Sequence, residues 1–171
     1  ANIDRDAVVG NLVDSGLWTA LRTRPYSRVP ALDEEPHSIF VTAMDTNPLA
    51  QDPAVVIKTN ESSFRHGLAV LGRLTDGPVW VCRAPGGDLP AFAEGQVREE
   101  TVTGKHPAGN AGTHVHYLDP VSLAKTVWTV GYQEVIAIGK LFTEGKISTD
   151  RVVALTGPQV KTPRLMRTRV G

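Results

Sequence analysis

The sequence contains very little cysteine, with Cys82 the single thiol among 171 residues. One thiol cannot form a disulfide within the chain, nor can it hold a structural zinc ion or an iron–sulfur cluster by itself. The sequence therefore excludes a disulfide-stabilised domain and is typical of a protein kept in a reducing compartment.

Long apolar runs and an excess of one charge are also absent. No run approaches the ~20 apolar residues that span a bilayer, and the segment 1–6 lacks the layout of a signal peptide. The 18 basic and 18 acidic residues cancel, so no overall field attracts nucleic acid or an anionic lipid surface. We expect no nucleic-acid partner, and membrane association only through another protein.

The common nucleotide and nucleophile motifs are missing. Neither G-x-G-x-x-G, nor G-x-x-x-x-G-K-[ST], nor G-x-S-x-G occurs. The segment Gly104–Gly112 is rich in glycine but has no Ser or Thr after Lys105. It could present backbone amides to an anion, or it could form a tight turn that packs a helix against a strand, and the turn is the favoured interpretation.

Apolar runs alternate with amphipathic segments along most of the chain, which is 41% hydrophobic. This pattern predicts βαβ units and a mostly parallel sheet with helices on both faces. The predicted strands are Ser38–Ala43, Pro78–Cys82, Lys125–Val130 and Arg151–Leu155, with a short edge strand over Gln96–Val102. The predicted helices begin after Asp4, near Asn60, at Gly109 and at Gln133, and the prolines at 25, 30 and 36 predict no regular element between the first helix and Ser38.

Two aromatic side chains lie among arginines between Ser15 and Pro30, where no core periodicity is visible. They are Trp18 and Tyr26, and the arginines are Arg22, Arg24 and Arg28. Guanidinium groups and aromatic rings together suit planar or anionic ligands. A solvated arginine-rich loop is an equally good interpretation of this segment alone.

A second group of polar residues follows the first predicted strand. Ligands of open α/β sheets bind beyond the carboxyl ends of the strands, and Asp45, Thr46 and Asn47 lie there. They could contact ligand hydroxyl groups, although Asp, Asn and Pro are also ordinary turn residues and that interpretation is somewhat favoured.

Three histidines are candidate metal ligands, namely His106, His114 and His116. On a strand, His114 and His116 would share a face, but on a helix they diverge. No carboxylate at ligand spacing completes the set, so the sequence predicts no metal site and favours hydrogen-bonding or interface roles.

Several long segments, in this order, carry a family resemblance. They are Leu12–Pro25, Phe40–Ala50, His106–Gly109, Gly112–His116, Tyr132–Phe142, Asp150–Pro158 and Pro163–Arg169. The chain resembles the A subunit of the Na⁺-translocating NADH:quinone oxidoreductase, a sodium-pumping respiratory complex of bacterial inner membranes. That family is distantly similar to the flavin-binding subunit of complex I and to the C subunit of the Rnf complex.

The resemblance implies a Rossmann-like domain over residues 1–156, followed over 157–171 by the truncated start of a β-rich domain. The chain opens without Met and ends on an alternating pattern, which agrees with an excised piece of a longer protein. The glycine-rich loop through which the complex I relative approaches FMN corresponds here to Leu17–Pro30, which contains no glycine.

The resemblance also implies a function. The complex oxidises NADH, reduces ubiquinone to ubiquinol and exports Na⁺. This subunit is peripheral, on the cytoplasmic face of the inner membrane, and its partners are ubiquinone and the other subunits, especially a membrane subunit. FAD, FMN, riboflavin and the 2Fe–2S centre are expected in other subunits, no cofactor is expected in this fragment, and the isolated fragment is expected to be inactive.

No catalytic residue is identified from the sequence. The residues expected to bind quinone or to dock on another subunit are Trp18, Arg22, Arg24, Tyr26, Asp45, Asn47 and His106. Two alternatives stay open. One is a domain that binds FMN or a nucleotide at the ancestral site, and the other is a purely structural scaffold.

Overall fold

The computed structural model describes residues 3–86 and 89–171. The helices are α1 (Arg5–Asp14), α2 (Pro53–Thr59), α3 (Glu61–Leu71), α4 (Ala111–Leu118) and α5 (Tyr132–Glu144), with one 3₁₀ turn at Leu17–Ala20. The strands are β1 (Arg22–Arg24), β2 (Ile39–Ala43), β3 (Val79–Arg83), β4 (Val97–Thr101), β5 (Val127–Gly131), β6 (Asp150–Leu155) and β7 (Arg164–Arg169).

Five strands form the main sheet, in the order β1-β5-β2-β3-β4. Strands β2, β3, β4 and β5 all run parallel to one another. The short β1 pairs antiparallel with β5 at the edge. The chain leaves β2 for β3 and β4 on one side and returns to β5 on the other. The crossover direction therefore reverses at β2, which makes the carboxyl ends of β2 and β5 a topological switch point.

Helices cover both faces of this sheet. On one face, Ile39 and Val41 of β2 belong to the larger core cluster with residues of α1, α3 and α5. On the other face, Phe40 packs in a smaller cluster with Val115 of α4. The alternation along β2 divides the core because successive strand side chains point to opposite faces. The predicted α/β fold, with a mostly parallel sheet covered on both faces, is confirmed.

A carboxylate joins the amino ends of the two central strands. Asp119 accepts hydrogen bonds from Ser38 Oγ at 2.6 Å, from His37 Nδ1 at 2.7 Å and from Lys125 Nζ at 2.6 Å. Burial would raise the pKa of Asp119, but these donors outweigh it and hold the pKa below its ordinary value. The cluster lies before β2 and β5, at the end of the sheet opposite the switch point.

The strand predicted at Arg151–Leu155 is not part of the main sheet, so this prediction was wrong in placement. The strand β6 pairs antiparallel with β7 in a separate two-stranded sheet. The edge of β5 that it could have extended is occupied by β1. The predicted boundary at 156/157 falls between β6 and β7, and the division of the chain into two domains stays a prediction.

Two further elements depart from the sequence-based prediction. The prolines do not prevent structure before Ser38, because the 3₁₀ turn and β1 precede Pro25. The helix α2, which begins at Pro53, was not among the predicted helices. Asp52 Oδ1 accepts a hydrogen bond from the Ala54 amide at 2.9 Å, and Pro53 occupies the first turn, where its missing amide costs nothing.

The helices α3 and α5 approach each other backbone to backbone. A Cβ atom added at Gly139 would lie 1.8 Å from the Ser63 carbonyl oxygen, and one added at Gly67 would lie 2.1 Å from the Val135 carbonyl oxygen. Both obstacles are main-chain atoms, which cannot rotate out of the way. The crossing therefore requires glycine at both positions.

Replacing Gly139 with alanine is expected to force the two helices apart and to lower the free energy of unfolding by about 1–3 kcal/mol or more. Gly10 provides the matched control, because it lies in α1 with open space around its Cβ position. Gly10→Ala should raise the free energy of unfolding by about 0.5–1 kcal/mol, since alanine is the better helix former. Urea denaturation measures both, and equal effects would contradict the close crossing.

Candidate functional site

A cleft of about 640 Å³ opens at the carboxyl ends of β2 and β5. We call it the switch-point cleft. Its walls are Arg24, the loop after β2 with Asp45 and Asn47, the first turn of α4, and the first turn of α5 from Gly131 to Glu134. The loops that the parallel strands bring to one edge thus form a single concavity, as expected for this class of sheet.

Two helices begin at this cleft. The N-cap residues are Asn110 for α4 and Gly131 for α5, and neither provides a side-chain cap to its helix. The first amides of a helix have no partner within the helix, and the N-terminus carries partial positive charge. Both helix ends therefore offer hydrogen-bond donors to a ligand oxygen in the cleft.

Two carboxylates at the cleft are already engaged by the protein. Asp45 Oδ1 accepts from the Asn47 amide and from Asn47 Nδ2, each at 2.8 Å. Glu134 Oε1 lies 3.0 Å from Arg151 Nη2. These contacts hold the acidic groups in place and leave the cleft with charges of both signs.

Tyr132 also lines the cleft, and its hydroxyl oxygen accepts hydrogen bonds from Gln51 Nε2 at 2.6 Å and from Gln133 Nε2 at 3.2 Å. Burial is the main reason that the pKa of Tyr132 is raised, and the nearby Asp45 and Glu134 add to the increase. The phenol therefore stays protonated at neutral pH and keeps a hydroxyl proton to donate.

Arg24 is the cation among the described residues that line the cleft. It pairs with Val127, whose side chain belongs to the cluster beneath α4. Paired residues share a face of the sheet, so Arg24 lies on the face that α4 covers. Its Nε atom is shielded from solvent and has no hydrogen-bond partner among the described residues. The predicted residues Arg24, Asp45 and Asn47 are therefore brought together.

Trp18 does not lie on this surface, which corrects the expectation that it does. Its side chain is 4% exposed, its Nε1 donates to the Pro30 carbonyl at 2.9 Å, and its ring meets that of Trp128 edge to face at 5.5 Å. Trp18 thus anchors the segment 15–30 to the core. A single large side chain in an irregular segment leaves no periodic signal, which is why the sequence did not reveal this burial.

The remaining residues of the arginine-rich segment do not line the cleft. Arg22 donates from Nη1 to the carbonyl oxygens of Thr19 and Leu21. Tyr26 is 71% exposed, and the Arg28 guanidinium lies 5.5 Å from its ring centroid. The sequence cluster is therefore divided between the core, the cleft and the surface.

The glycine-rich segment packs against the loop after β2. Thr46 Oγ1 accepts from the Gly109 amide at 2.8 Å, and a Cβ atom at Gly109 would come within 2.8 Å of Thr46 atoms. His106 is exposed, with its Nδ1 3.4 Å from Thr46 Oγ1, and it does not line the cleft. The tight-turn interpretation of this segment agrees with these contacts.

The histidines of α4 diverge, as expected for a helix. His114 is 1% exposed, whereas His116 lies on the surface. Within residues 3–86 and 89–171, no three or more His, Cys, Asp or Glu side chains gather closely enough to hold a metal ion. Cys82 is buried, and burial, with a smaller effect of Glu100, raises its pKa to about 12, so its thiol stays protonated.

Sequence reasoning missed the wall that α5 contributes. Gly131, Tyr132 and Gln133 line the cleft, and none was selected from the sequence. A signal was present, because a glycine lies between a predicted core strand and a predicted helix, where ligand-binding turns of α/β sheets occur. Asn110 offered a similar signal as a preferred N-cap residue.

The fold and the cleft define an α/β domain of the doubly wound class with a crevice at its switch point. Residues 3–147 match the family model described as the NqrA second alpha/beta domain. The chain therefore belongs to the NqrA family, and the resemblance read from its sequence is confirmed.

Several curated relatives are similar over nearly the whole chain, and each is named as the A subunit of a Na(+)-translocating NADH-quinone reductase. The protein of Alcanivorax borkumensis is 74% identical over 99% of this chain, and that of Saccharophagus degradans is 64% identical over all of it. The protein of Cellvibrio japonicus is 58% identical, also over the full chain. The chain spans 38% of the length of each of these three relatives.

His114 is a buried titratable group without a well-formed hydrogen bond. Neither ring nitrogen of His114 has a hydrogen-bond partner of good geometry among the described residues. Burial lowers the pKa of His114 below its ordinary value of 6.5, although the backbone of Ala108 lies near enough to oppose this slightly. The charged groups that border the same space are Glu100 and Lys105.

Because the folded state lowers the pKa of His114, the unfolded chain binds more protons as the pH falls. His114 therefore contributes fully to the free energy of unfolding above the pKa that its ring has in the unfolded chain. This contribution is lost as the pH falls through the pKa that the ring has in the folded chain. We expect the free energy of unfolding to fall less between pH 7.5 and pH 5 in His114→Leu than in the wild-type chain.

Urea denaturation across this pH range measures the effect. The matched control is His116→Leu on the exposed face of the same helix, which should leave the pH dependence unchanged. An identical pH dependence in the wild-type chain and in His114→Leu would contradict the buried, neutral state of this ring.

Proposed function

We propose that this domain is a peripheral part of the A subunit of a complex that oxidises NADH, reduces ubiquinone to ubiquinol and exports Na⁺. The names of its relatives support this assignment. Its own contribution is to hold the quinone head group at the switch-point cleft. The flavins and the 2Fe–2S centre that carry electrons belong to other subunits, and the isolated domain is inactive by itself.

The observation that carries this proposal is the convergence of donors on one cleft. The Arg24 guanidinium and the first turns of α4 and α5 all border it. Quinone oxygens accept hydrogen bonds, and negative charge develops on them during reduction. Fixed donors and helix N-termini stabilise such charge without having to reorganise.

The segment that follows α1 argues against a flavin at this site. In the flavoprotein relatives a glycine-rich loop lets FMN approach bare backbone. Here the corresponding segment forms a 3₁₀ turn and β1, and the side chains of Trp18 and Leu21 fill the core.

A second candidate role is docking, and the surface of the segment after β1 favours it. Tyr26, Val29 and Leu32 are large apolar side chains that are exposed there. Exposed apolar groups that lie near one another mark surfaces that bind partners. No helix within residues 3–86 and 89–171 is long and apolar enough to cross a membrane. We propose that the domain meets a membrane subunit on the cytoplasmic face through this segment.

An NMR titration of this chain with ubiquinone carrying one isoprene unit tests the cleft. We expect saturable shifts at the amides of α4 and α5 that line it. Loss of one charge-assisted hydrogen bond in Arg24→Gln should weaken binding about 10- to 100-fold. Arg28→Gln is the matched control, because Arg28 lies in the same segment, contacts Tyr26 and does not line the cleft.

Other results would favour the alternatives. Saturable binding of FMN in a parallel titration would support the ancestral flavin site. Absence of binding by either ligand, together with failure of Tyr26→Ser and Leu32→Ser subunits to join the complex, would support a docking scaffold. Equal quinone affinity in Arg24→Gln and Arg28→Gln would overturn the assignment to this cleft.

A further inference from the structure

A second cleft, of about 480 Å³, lies between the carboxyl end of β4, the loop that follows it and α4. We propose that this cleft, called here the His114 cleft, binds a small uncharged ring compound that carries a hydroxyl or carbonyl oxygen, with His114 as its hydrogen-bonding partner. The inference does not rest on the proposed function, because Arg24, Asp45 and Asn47 do not line this cleft.

His114 is the observation that points to a ligand. The ring lies on α4 and borders the cleft, yet only 1% of the residue is exposed and neither nitrogen has a hydrogen bond of good geometry among the described residues, although the backbone of Ala108 lies close to the ring. A buried polar group without a hydrogen bond destabilises a fold, so natural proteins rarely keep one without a use. A neutral imidazole offers one donor and one acceptor, which a ligand hydroxyl or carbonyl group can engage.

The other walls define the class of ligand. Val102, Ala108 and Leu118 provide apolar surface, and Tyr117, which is 78% exposed, places an aromatic ring at the border of the cleft. Apolar walls with a few polar groups are typical of sites for small organic molecules. An aromatic ring at the rim adds a face on which a planar ligand can stack.

The charges of the cleft favour an uncharged ligand. Glu100 and Lys105 both border it, so neither an anion nor a cation finds a field of one sign. Thr113 Oγ1 already donates to the Pro107 carbonyl at 2.9 Å, which leaves its hydroxyl proton unavailable. His114 is therefore the buried group that can orient a ligand oxygen.

The volume of the His114 cleft also agrees with a small organic ligand. Clefts of about 300–1,000 Å³ hold small organic ligands, and the His114 cleft lies within this range at about 480 Å³. Thr113 borders both clefts, so the first turn of α4 separates two adjacent sites. The test must therefore report on His114 itself and not on the domain as a whole.

The experiment uses this chain labelled with ¹⁵N at its histidines, and it follows the ring nitrogens of His114 while a probe is added. The two probes are para-cresol and ubiquinone carrying one isoprene unit. We expect saturable shifts of the His114 nitrogens with a dissociation constant of about 1 mM, the scale for a ligand of this size. The exposed ring of His66, which lies on α3 and does not border this cleft, serves as the internal reference.

Four variants make the assignment specific. His114→Leu should weaken binding at least about 10-fold because the hydrogen bond is lost, whereas His66→Leu, which alters an exposed ring away from the cleft, should bind as the wild-type chain does. Tyr117→Ala changes an exposed side chain that the fold does not need, and it should weaken binding about 3- to 10-fold through loss of stacking. Arg24→Gln, which alters only the switch-point cleft, should leave the His114 shifts unchanged.

Each result supports or overturns the proposal. Binding of para-cresol alone supports the site with a free phenol as its ligand, and binding of the quinone, with or without para-cresol, supports it with a quinone head group. The proposal is wrong if neither probe shifts His114 saturably, or if affinity is unchanged in both His114→Leu and Tyr117→Ala. It is also wrong if the ring nitrogens contact only a bound water that neither probe displaces.

Discussion

The crossing of α3 and α5 is the contact on which the remaining architecture depends. Main-chain atoms of the two helices meet at Gly67 and Gly139, where even a methyl group would collide with a carbonyl oxygen. This approach seats α5 directly against the larger core cluster, in which Val135 and Ile138 are fully buried. Because α5 follows β5 without a connecting loop, its seating also sets the position of its first turn. The position of the first turn of α5, which forms one wall of the switch-point cleft, therefore depends on the crossing with α3, one or two helical turns away.

The edge strand β1 determines which side chain reaches the switch-point cleft from this edge of the sheet. Trp18 and Leu21 fill the core just before β1, and three residues then pair with β5. This arrangement carries Arg24 to the face that α4 covers, where it borders the same cleft as the first turns of α4 and α5. The same arrangement removes the bare backbone that a glycine-rich loop would provide. One local structure therefore both fills this segment with side chains and places a cation at the cleft.

Much of the main sheet could be predicted because its central strands are buried on both faces. The runs containing Ile39, Val79 and Val127 are continuously apolar, and they became β2, β3 and β5. The helix α1 was also predictable, since Asp4 Oδ1 accepts from the Ala7 amide at 2.9 Å as an N-cap should. The run at Arg151–Leu155 has a similar composition but pairs locally with β7. The composition of a segment predicts that it forms a strand, whereas the strand with which it pairs depends on which sheet edge is free.

The candidate sites divide in the same way. The sequence by itself determined the family, the α/β class and the presence of Asp45 and Asn47 at the end of a central strand, because these depend on local order along the chain. Only the tertiary structure decided that Trp18 is buried against Trp128, that Arg24 borders one cleft with the first turns of α4 and α5, and that His114 is enclosed without a hydrogen bond of good geometry. These facts depend on distances between segments far apart in the chain, and a hydrogen bond or a cleft exists only when folding makes those distances short.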